Sequence, residues 1–229
     1  MARPWQTVDA ADTPDGRLEL RRRGERELLI TIAGRVLMNS HASRSEVALG
    51  RLACEALSGR PAPRVLVGGL GMGCTLRACL DALPSEARIV VAELNEPVVA
   101  WCRNGPLAEL TGGAALDPRV SVRLGDVAEA VRDAARPGAE RFDAVLLDLY
   151  EGPRTVVARN HPHYGAPALA RTRSALHDGG VFALWAEEPN PRFEKSLARA
   201  GFEVRSERSG SSGGRRHVIV LGRAIARSR

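Results

Sequence analysis

Short apolar runs alternate with segments of helical periodicity through most of the chain. Five such runs predict strands buried on both faces; they lie near residues 64–68, 88–93, 119–124, 142–148 and 180–186. Four intervening segments space their apolar residues three and four positions apart and predict helices; they lie near residues 73–83, 96–104, 127–136 and 165–177. This alternation predicts an α/β fold in which a mostly parallel sheet carries helices on both faces.

The two ends of the chain depart from this alternation. Residues 18–38 read as two strands about Gly24-Glu25, which predicts an N-terminal β-hairpin, and a helix follows from Arg44 to Leu57. After a helix near residues 191–200, Phe202–Arg205 and His217–Leu221 predict an antiparallel strand pair joined by the Ser209–Gly214 loop. The sheet would then have seven strands. We expect residues 1–60 to form the hairpin and lead-in helix, and residues 61–229 one Rossmann-like catalytic domain.

A glycine-rich turn follows the first core strand. Gly69, Gly71 and Gly73 alternate with other residues directly before a predicted helix. Glycines let backbone N–H groups approach a ligand closely, and the helix N-terminus adds partial positive charge. The turn therefore predicts a nucleotide-binding loop, although such a turn also occurs without a ligand.

Acidic residues end the next three strands. Glu93 follows the glycine turn by 20 residues, the position that reaches a ribose in a Rossmann-like unit. Gly125-Asp126 and Asp148 end the third and fourth strands. Because parallel strands end at one edge of the sheet, these acids should line one site. An Asp at a strand end can also cap the helix that follows it.

The glycines, Glu93, Gly125-Asp126 and Asp148 together resemble the motif series of class I S-adenosylmethionine-dependent methyltransferases. The chain is most similar to spermidine synthases, aminopropyltransferases of the same fold. Three further segments carry this resemblance: Thr75-Leu76-Arg77, Asp117-Pro118-Arg119-Val120, and Ser174–Val181. The resemblance extends over roughly residues 18–221.

This resemblance implies a role for each matching residue. Gly69, Gly71 and Gly73 would cradle the methionine-derived part of S-adenosylmethionine or its decarboxylated form. Glu93 would hold the ribose, and Asp126, after Gly125, would accept from the adenine amino group. Asp148 would be the catalytic acid at an amine acceptor, since an ammonium must lose a proton before it can attack carbon.

The chain departs from spermidine synthases around the acceptor. Met72 stands where their glycine loop carries the Asp that holds the aminopropyl ammonium. Their Tyr-His-Glu motif is reduced here to Arg44-Ser45-Glu46, and Glu151 takes the place of a second acid that holds the polyamine. These departures favour methyl transfer to a small nucleophile, an amine above all. Aminopropyl transfer to a polyamine-like acceptor and cofactor binding without turnover are the alternatives.

The segment after Asp148 predicts a lid over the acceptor. Tyr150, Glu151 and Tyr164 are candidates for orienting the substrate, together with Glu46. Trp185, at the end of the fifth strand, reads more readily as core packing than as a pocket wall.

Composition and charge change this picture little. The net charge is +6, but Lys195 is the only lysine, and the arginine-rich surface does not by itself predict nucleic-acid binding. An RNA methyltransferase is a further alternative that steeply salt-dependent RNA binding would reveal. Without an apolar leader or span, and with four unpaired cysteines, the sequence predicts a cytoplasmic protein with reduced thiols, no metal and no membrane partner. The resemblance also suggests a homodimer.

Overall fold

The structure, a computed structural model, describes residues 3–25, 27–153, 157–209 and 217–226. It contains an N-terminal antiparallel sheet followed by a seven-stranded sheet flanked by helices. This architecture confirms the predicted α/β class.

The N-terminal sheet has four strands rather than the two of the predicted hairpin. They are β1 (Gln6–Thr13), β2 (Gly16–Arg23), β3 (Glu27–Ile32) and β4 (Arg35–Asn39). The predicted hairpin is β2 and β3, and β1 and β4 pair with its two outer edges. The mostly exposed β1 has no apolar alternation, so its pairing with β2 is what makes it a strand.

The large sheet contains the predicted seven strands in the order β10-β11-β9-β8-β5-β6-β7. Their bounds are β5 (Arg64–Gly68), β6 (Arg88–Glu93), β7 (Val120–Leu124), β8 (Phe142–Leu147), β9 (Leu176–Ala186), β10 (Phe202–Ser209) and β11 (His217–Ala224). Strands β5 to β9 are parallel, and β11 runs antiparallel between β9 and β10. The predicted loop between the last two strands lies, from residue 210 onward, outside the described residues.

Seven helices accompany the sheet. They are α1 (Arg44–Glu55), α2 (Cys74–Ala82), α3 (Glu96–Asn104), α4 (Pro106–Leu110), α5 (Val127–Ala134), α6 (Ala166–Ala175) and α7 (Pro191–Arg199) within the described residues. The helix predicted to continue to residue 177 ends at Ala175, because the fully buried Leu176 already pairs with Phe142 in β8. In the part of the chain that is described, no helix is both long and apolar enough to span a membrane.

Two apolar layers hold the sheet between its helices. One layer joins β2 and β3 to α1, α2 and α3 through residues such as Leu18, Leu49 and Leu76. The other joins α5, α6 and α7 to the opposite face through residues such as Val131 and Phe182. The N-terminal sheet is also fixed by a hydrogen bond of 2.7 Å from the Trp101 indole Nε1 to Asp9 Oδ2. It therefore shares the core of the large sheet.

Candidate active site

The predicted acids and glycines meet at the carboxyl edge of the central strands. Gly68 pairs with Ala92 on one side and with Leu147 on the other, so the residues that follow these three positions are neighbours. Backbone hydrogen bonds of 2.8 Å extend this pairing past the strand ends, from Gly69 N to Ala92 O and from Asp148 N to Gly68 O. The crevice outside this edge is where open α/β sheets bind ligands.

The glycine loop has a backbone conformation that side chains would disrupt. Gly69, Gly71 and Gly73 have φ values of 88°, 50° and 80°, in the left-handed region. A Cβ on Gly69 would collide with the carbonyl oxygen of Asp148, and one on Gly71 with the sulfur of Met38. Gly73 is the N-cap of α2 and offers no side-chain cap to its first N–H groups. The loop therefore suits a bound nucleotide.

The Met72 side chain is buried and is not exposed to the space above the glycine loop. It is 1% exposed and belongs to the apolar layer beneath the loop. The chain thus supplies no carboxylate from this position, and any negative charge at the site comes from other elements.

Glu93 is a rigid acceptor at the end of β6. It is 7% exposed, and its Oε2 accepts from Leu70 N at 2.8 Å. Its Oε1 accepts from Asn95 N at 2.9 Å and from Asn95 Nδ2 at 3.3 Å. A carboxylate has about four acceptor positions, so capacity for one further hydroxyl donor remains.

Asp126 caps a helix, as the alternative interpretation of its position allowed. Its Oδ1 accepts from Ala128 N at 2.8 Å at the N-terminus of α5. His163 Nε2 lies 3.8 Å from the same oxygen, and burial lowers the pKa of this histidine despite the nearby acid. Asp126 is partly exposed, which leaves room for a second role in ligand binding.

Asp148 is the most perturbed acid of the site. Burial is the main cause that raises its pKa to about 7 from the ordinary 3.8, and the negative charges of Glu46 and Glu93 raise it further. Hydrogen bonds from the Thr75 hydroxyl, at 2.7 Å to Oδ2, and from the Trp185 side chain act in the opposite direction. Asp148 is therefore poised to exchange a proton near neutral pH.

Thr75 connects Asp148 to the first turn of α1. Its Oγ1 is also 3.1 Å from the carbonyl oxygen of Glu46. A hydroxyl has one proton, so Thr75 donates to the Asp148 carboxylate or to this carbonyl, but not fully to both. If Asp148 is protonated, it can donate to Thr75 while Thr75 donates to Glu46 O. Both protonation states of Asp148 are thus accommodated without moving a heavy atom.

The structure brings Glu46 to the site but not all of the predicted lid residues. Tyr150 and Glu151 are exposed at the start of the lid segment, whose residues 154–156 lie outside the description. Tyr164 is only 3% exposed, its hydroxyl donates to Glu151 O at 3.0 Å, and burial raises its pKa. Tyr164 thus anchors the lid in this structure instead of presenting its hydroxyl to the carboxylates.

Cys74 and Cys102 border the loop as neutral thiols. Burial and the charges of Glu46 and Asp148 raise the pKa of Cys74 to about 11. Burial raises the pKa of Cys102 to about 12, and its Sγ donates to Gly71 O at 3.4 Å. Among the described residues, no cluster of three His, Cys, Asp or Glu side chains is arranged to hold a metal ion.

Four contributors were not singled out as site residues from the sequence: Thr75, Trp185, Ser45 and His217. Thr75 belonged to the family-like Thr-Leu-Arg segment, and its place in the first turn of α2, two residues after Gly73, was the available signal. Ser45 Oγ donates to Glu46 Oε2 at 2.7 Å, and His217 Nδ1 is 3.0 Å from Ser45 Oγ. No sequence spacing connects His217 to Ser45.

Comparison with known protein families matches residues 55–199 to the spermine/spermidine synthase domain. The chain belongs to the spermine/spermidine synthase family. This family member is 32% identical over 153 residues to polyamine aminopropyltransferase 1 of Hyperthermus butylicus, covering 66% of this chain and 50% of the relative. It is 34% identical over 146 residues to the polyamine aminopropyltransferase of Mycobacterium tuberculosis, covering 61% of this chain and 27% of that protein. The chain thus spans half or less of the length of these curated relatives.

Solved structures give the same fold for this spermine/spermidine synthase family member. The spermidine synthase from Thermotoga maritima superposes with a TM-score of 0.74 at 16% identity, covering 95% of this chain and 72% of that one. A spermidine synthase in complex with the transition-state analogue AdoDATO matches with a TM-score of 0.73 over the same shares. These matches confirm the predicted Rossmann-like fold.

The comparisons also correct the order of the predicted reactions. Methyl transfer, favoured from the sequence, finds no support, because the curated relatives are named for aminopropyl transfer. That interpretation gave the departures at Met72 and around the acceptor more weight than the overall resemblance, and the alternative of aminopropyl transfer is the better supported one. The domain boundary, a homodimer, a cytoplasmic location and the absence of a nucleic-acid partner stay predictions.

Proposed function

We propose that this chain transfers an aminopropyl group from decarboxylated S-adenosylmethionine to an amine acceptor. The observation that carries the proposal is the acidic surrounding of Asp148, whose pKa is raised mainly by burial and further by the charges of Glu46 and, to a smaller extent, Glu93. A donor that lacks a carboxylate suits this site, because like charges in a partly buried site repel strongly. Intact S-adenosylmethionine would bring a carboxylate towards these acids, whereas the decarboxylated donor and an amine acceptor bring only positive charge.

The residues present fit such a donor. The positive φ values of Gly69, Gly71 and Gly73 and their lack of side chains let a ligand approach the loop backbone closely. Gly69 N and Gly73 N are hydrogen-bonded within the protein, so the donors for a ligand would be the first N–H groups of α2, which no side chain caps. Glu93 has acceptor capacity for a ribose hydroxyl, and Asp126 is exposed enough to accept from an adenine amino group. When bound, the donor supplies a carbon made electrophilic by the positive sulfur attached to it.

Asp148 would take the proton of the attacking ammonium. Its pKa of about 7 makes it a stronger base than an ordinary aspartate while it remains partly ionised at neutral pH. As the proton arrives, the Thr75 hydroxyl turns from Asp148 Oδ2 to Glu46 O, 3.1 Å away. The freed nitrogen lone pair forms the new C–N bond, the C–S bond breaks, and sulfur leaves as a neutral thioether.

The negative charges of Glu46 and Glu93 would attract the cationic donor and the cationic amine acceptor. Glu46 lies in the first turn of α1, at the N-terminal end of the helix. Positioning of the amine between Glu46 and Asp148 supplies the orientation that a bimolecular displacement needs. In this arrangement the acids compensate for the carboxylate that Met72 does not provide.

Calorimetric titration of the protein with S-adenosylmethionine and with its decarboxylated form tests the proposal. We expect the decarboxylated donor to bind at least about tenfold more tightly, corresponding to about 1.4 kcal/mol. Glu46→Gln should reduce this preference, because it removes one of the acids. Production of methylthioadenosine from the decarboxylated donor and an amine panel is the matching activity assay. Tighter binding of S-adenosylmethionine, or binding of neither ligand, would refute the proposal.

A further inference from the structure

His217 lies beside the candidate site although it comes from the far end of the chain. It begins β11, and its Nδ1 is 3.0 Å from Ser45 Oγ, a residue 172 positions earlier. Its ring also packs on Trp185, with ring centroids 5.2 Å apart and planes tilted by 39°. His217 is not among the catalytic or substrate-binding residues predicted from the sequence.

The hydrogen-bond chemistry fixes the direction of the His217 contact. Ser45 Oγ donates its one proton to Glu46 Oε2 at 2.7 Å, because a carboxylate can only accept. The serine oxygen is then an acceptor for His217, so Nδ1 carries a proton. A directed series runs from His217 through Ser45 to the Glu46 carboxylate. Ser45 is 8% exposed, so water does not readily replace it as the intermediate group.

The second contact of His217 leads to the other carboxylate of the site. The Trp185 side chain lies near enough to Asp148 to lower the pKa of that acid, and the imidazole of His217 packs on the Trp185 ring. Trp185 is only partly buried, so core packing alone does not hold its ring. The contact with the His217 imidazole restricts the Trp185 ring further. His217 thus contacts one residue that hydrogen-bonds to Glu46 and another that hydrogen-bonds to Asp148.

We propose that His217 is a positioning residue of the amine-acceptor site, which orients Glu46 through Ser45 and Asp148 through Trp185. The inference rests on the proposed function. Ser45 stands where the similar motif of spermidine synthases has histidine, and in this chain an imidazole from β11 lies next to it, with His217 Nδ1 3.0 Å from Ser45 Oγ. The departure at Ser45 and the presence of His217 are then two parts of one arrangement.

Two substitutions of His217 separate its hydrogen bond from its bulk. His217→Leu keeps an apolar contact for Trp185 but has no donor, whereas the amide nitrogen of His217→Asn can take the place of Nδ1. We expect the leucine variant to raise the KM for the amine about tenfold, as loss of a hydrogen bond to a charged network does, with a smaller change in kcat. The asparagine variant should stay within about threefold of the parent KM, since the donor is retained.

Ser45→Ala tests whether His217 acts on Glu46 through Ser45. It should raise the amine KM about as much as His217→Leu, and the double variant should be no worse than either single one, because both break the same series. His177→Leu is the matched control, since His177 is exposed at the start of β9, at the opposite end of that strand from Trp185. The affinity for decarboxylated S-adenosylmethionine and the melting temperature, measured on every variant, show whether the fold and donor site persist.

The outcomes distinguish the inference from the function on which it rests. If the parent protein neither turns over amines nor binds them calorimetrically with methylthioadenosine present, the proposed function fails, and the inference fails with it. If the parent is active but His217→Leu keeps the parent amine KM, only the inference is refuted. Independent, multiplying effects of His217→Leu and Ser45→Ala would also overturn it.

Discussion

Replacing Asp148 with asparagine should stabilise the protein at alkaline pH while abolishing turnover. The amide has no charge to desolvate, and the site has partners for it. Its oxygen can accept from Trp185, its nitrogen can donate to Thr75, and Thr75 can donate to Glu46 O at 3.1 Å. The substitution therefore removes a partly buried charge and leaves no new polar atom without a partner.

The size of the effect follows from the raised pKa. Below about pH 4 the carboxyl is protonated in both the folded and unfolded states and contributes no pH dependence. Between its ordinary pKa of 3.8 and its folded pKa of about 7, the unfolded state ionises more readily, so stability falls as pH rises. A shift of about three units corresponds to about 4 kcal/mol, and partial exposure of Asp148 reduces the expected cost to about 2 kcal/mol above pH 7.

Thermal unfolding followed by circular dichroism from pH 4.5 to pH 8.5 measures this cost. At pH 8 we expect Asp148→Asn to melt about 6 °C higher than the parent, from about 2–4 °C per kcal/mol for a chain of this size. The difference should shrink steadily towards pH 4.5. Asp81→Asn, the same exchange on an exposed helix position, corrects for general effects. A difference in melting temperature that does not change with pH would refute the assignment of a protonated Asp148 near neutrality.

Two further substitutions test the same site from other sides. Trp185→Phe removes a hydrogen bond that lowers the pKa of Asp148. The acid limb of the pH profile of kcat/KM should therefore move from about pH 7 to higher pH by up to about one unit. If the limb does not move, Trp185 does not hydrogen-bond to Asp148. Gly69→Ala places a Cβ against the Asp148 carbonyl at a φ of 88° and should cost about 3 kcal/mol in urea unfolding and weaken donor binding. Gly138→Ala, at a φ of 78° with nothing within 4 Å, is its control and should cost only about 1 kcal/mol; equal losses would mean that the collision with Asp148 is unimportant.

Burial on both faces explains why the sequence placed the central strands correctly, whereas the correctly placed edge strand β7 is mostly exposed. The bounds of β5 and β6 match the predicted residues 64–68 and 88–93, because burial on two faces keeps the positions between Arg64 or Arg88 and the strand end apolar, apart from Glu93 at the end of β6. The exposed β1 was missed for the opposite reason, since pairing with β2 rather than its own pattern makes it a strand. The start of β9 at Leu176 likewise depends on its pairing with Phe142.

The residues of the candidate site also divide into those that the sequence could predict and those that it could not. Sequence alone determined the residues whose positions follow from local rules: the glycines, because the backbone needs positive φ, and the acids Glu93, Asp126 and Asp148, because parallel strands end at one edge. Tertiary structure alone decided which side chains reach Asp148. A sequence pattern does not show where the end of a side chain lies. Trp185 was therefore interpreted as packing in the core, and Tyr164 as contacting the substrate. Ser45 and His217 meet only because α1 and the start of β11 pack together, a contact between distant segments that no local pattern records.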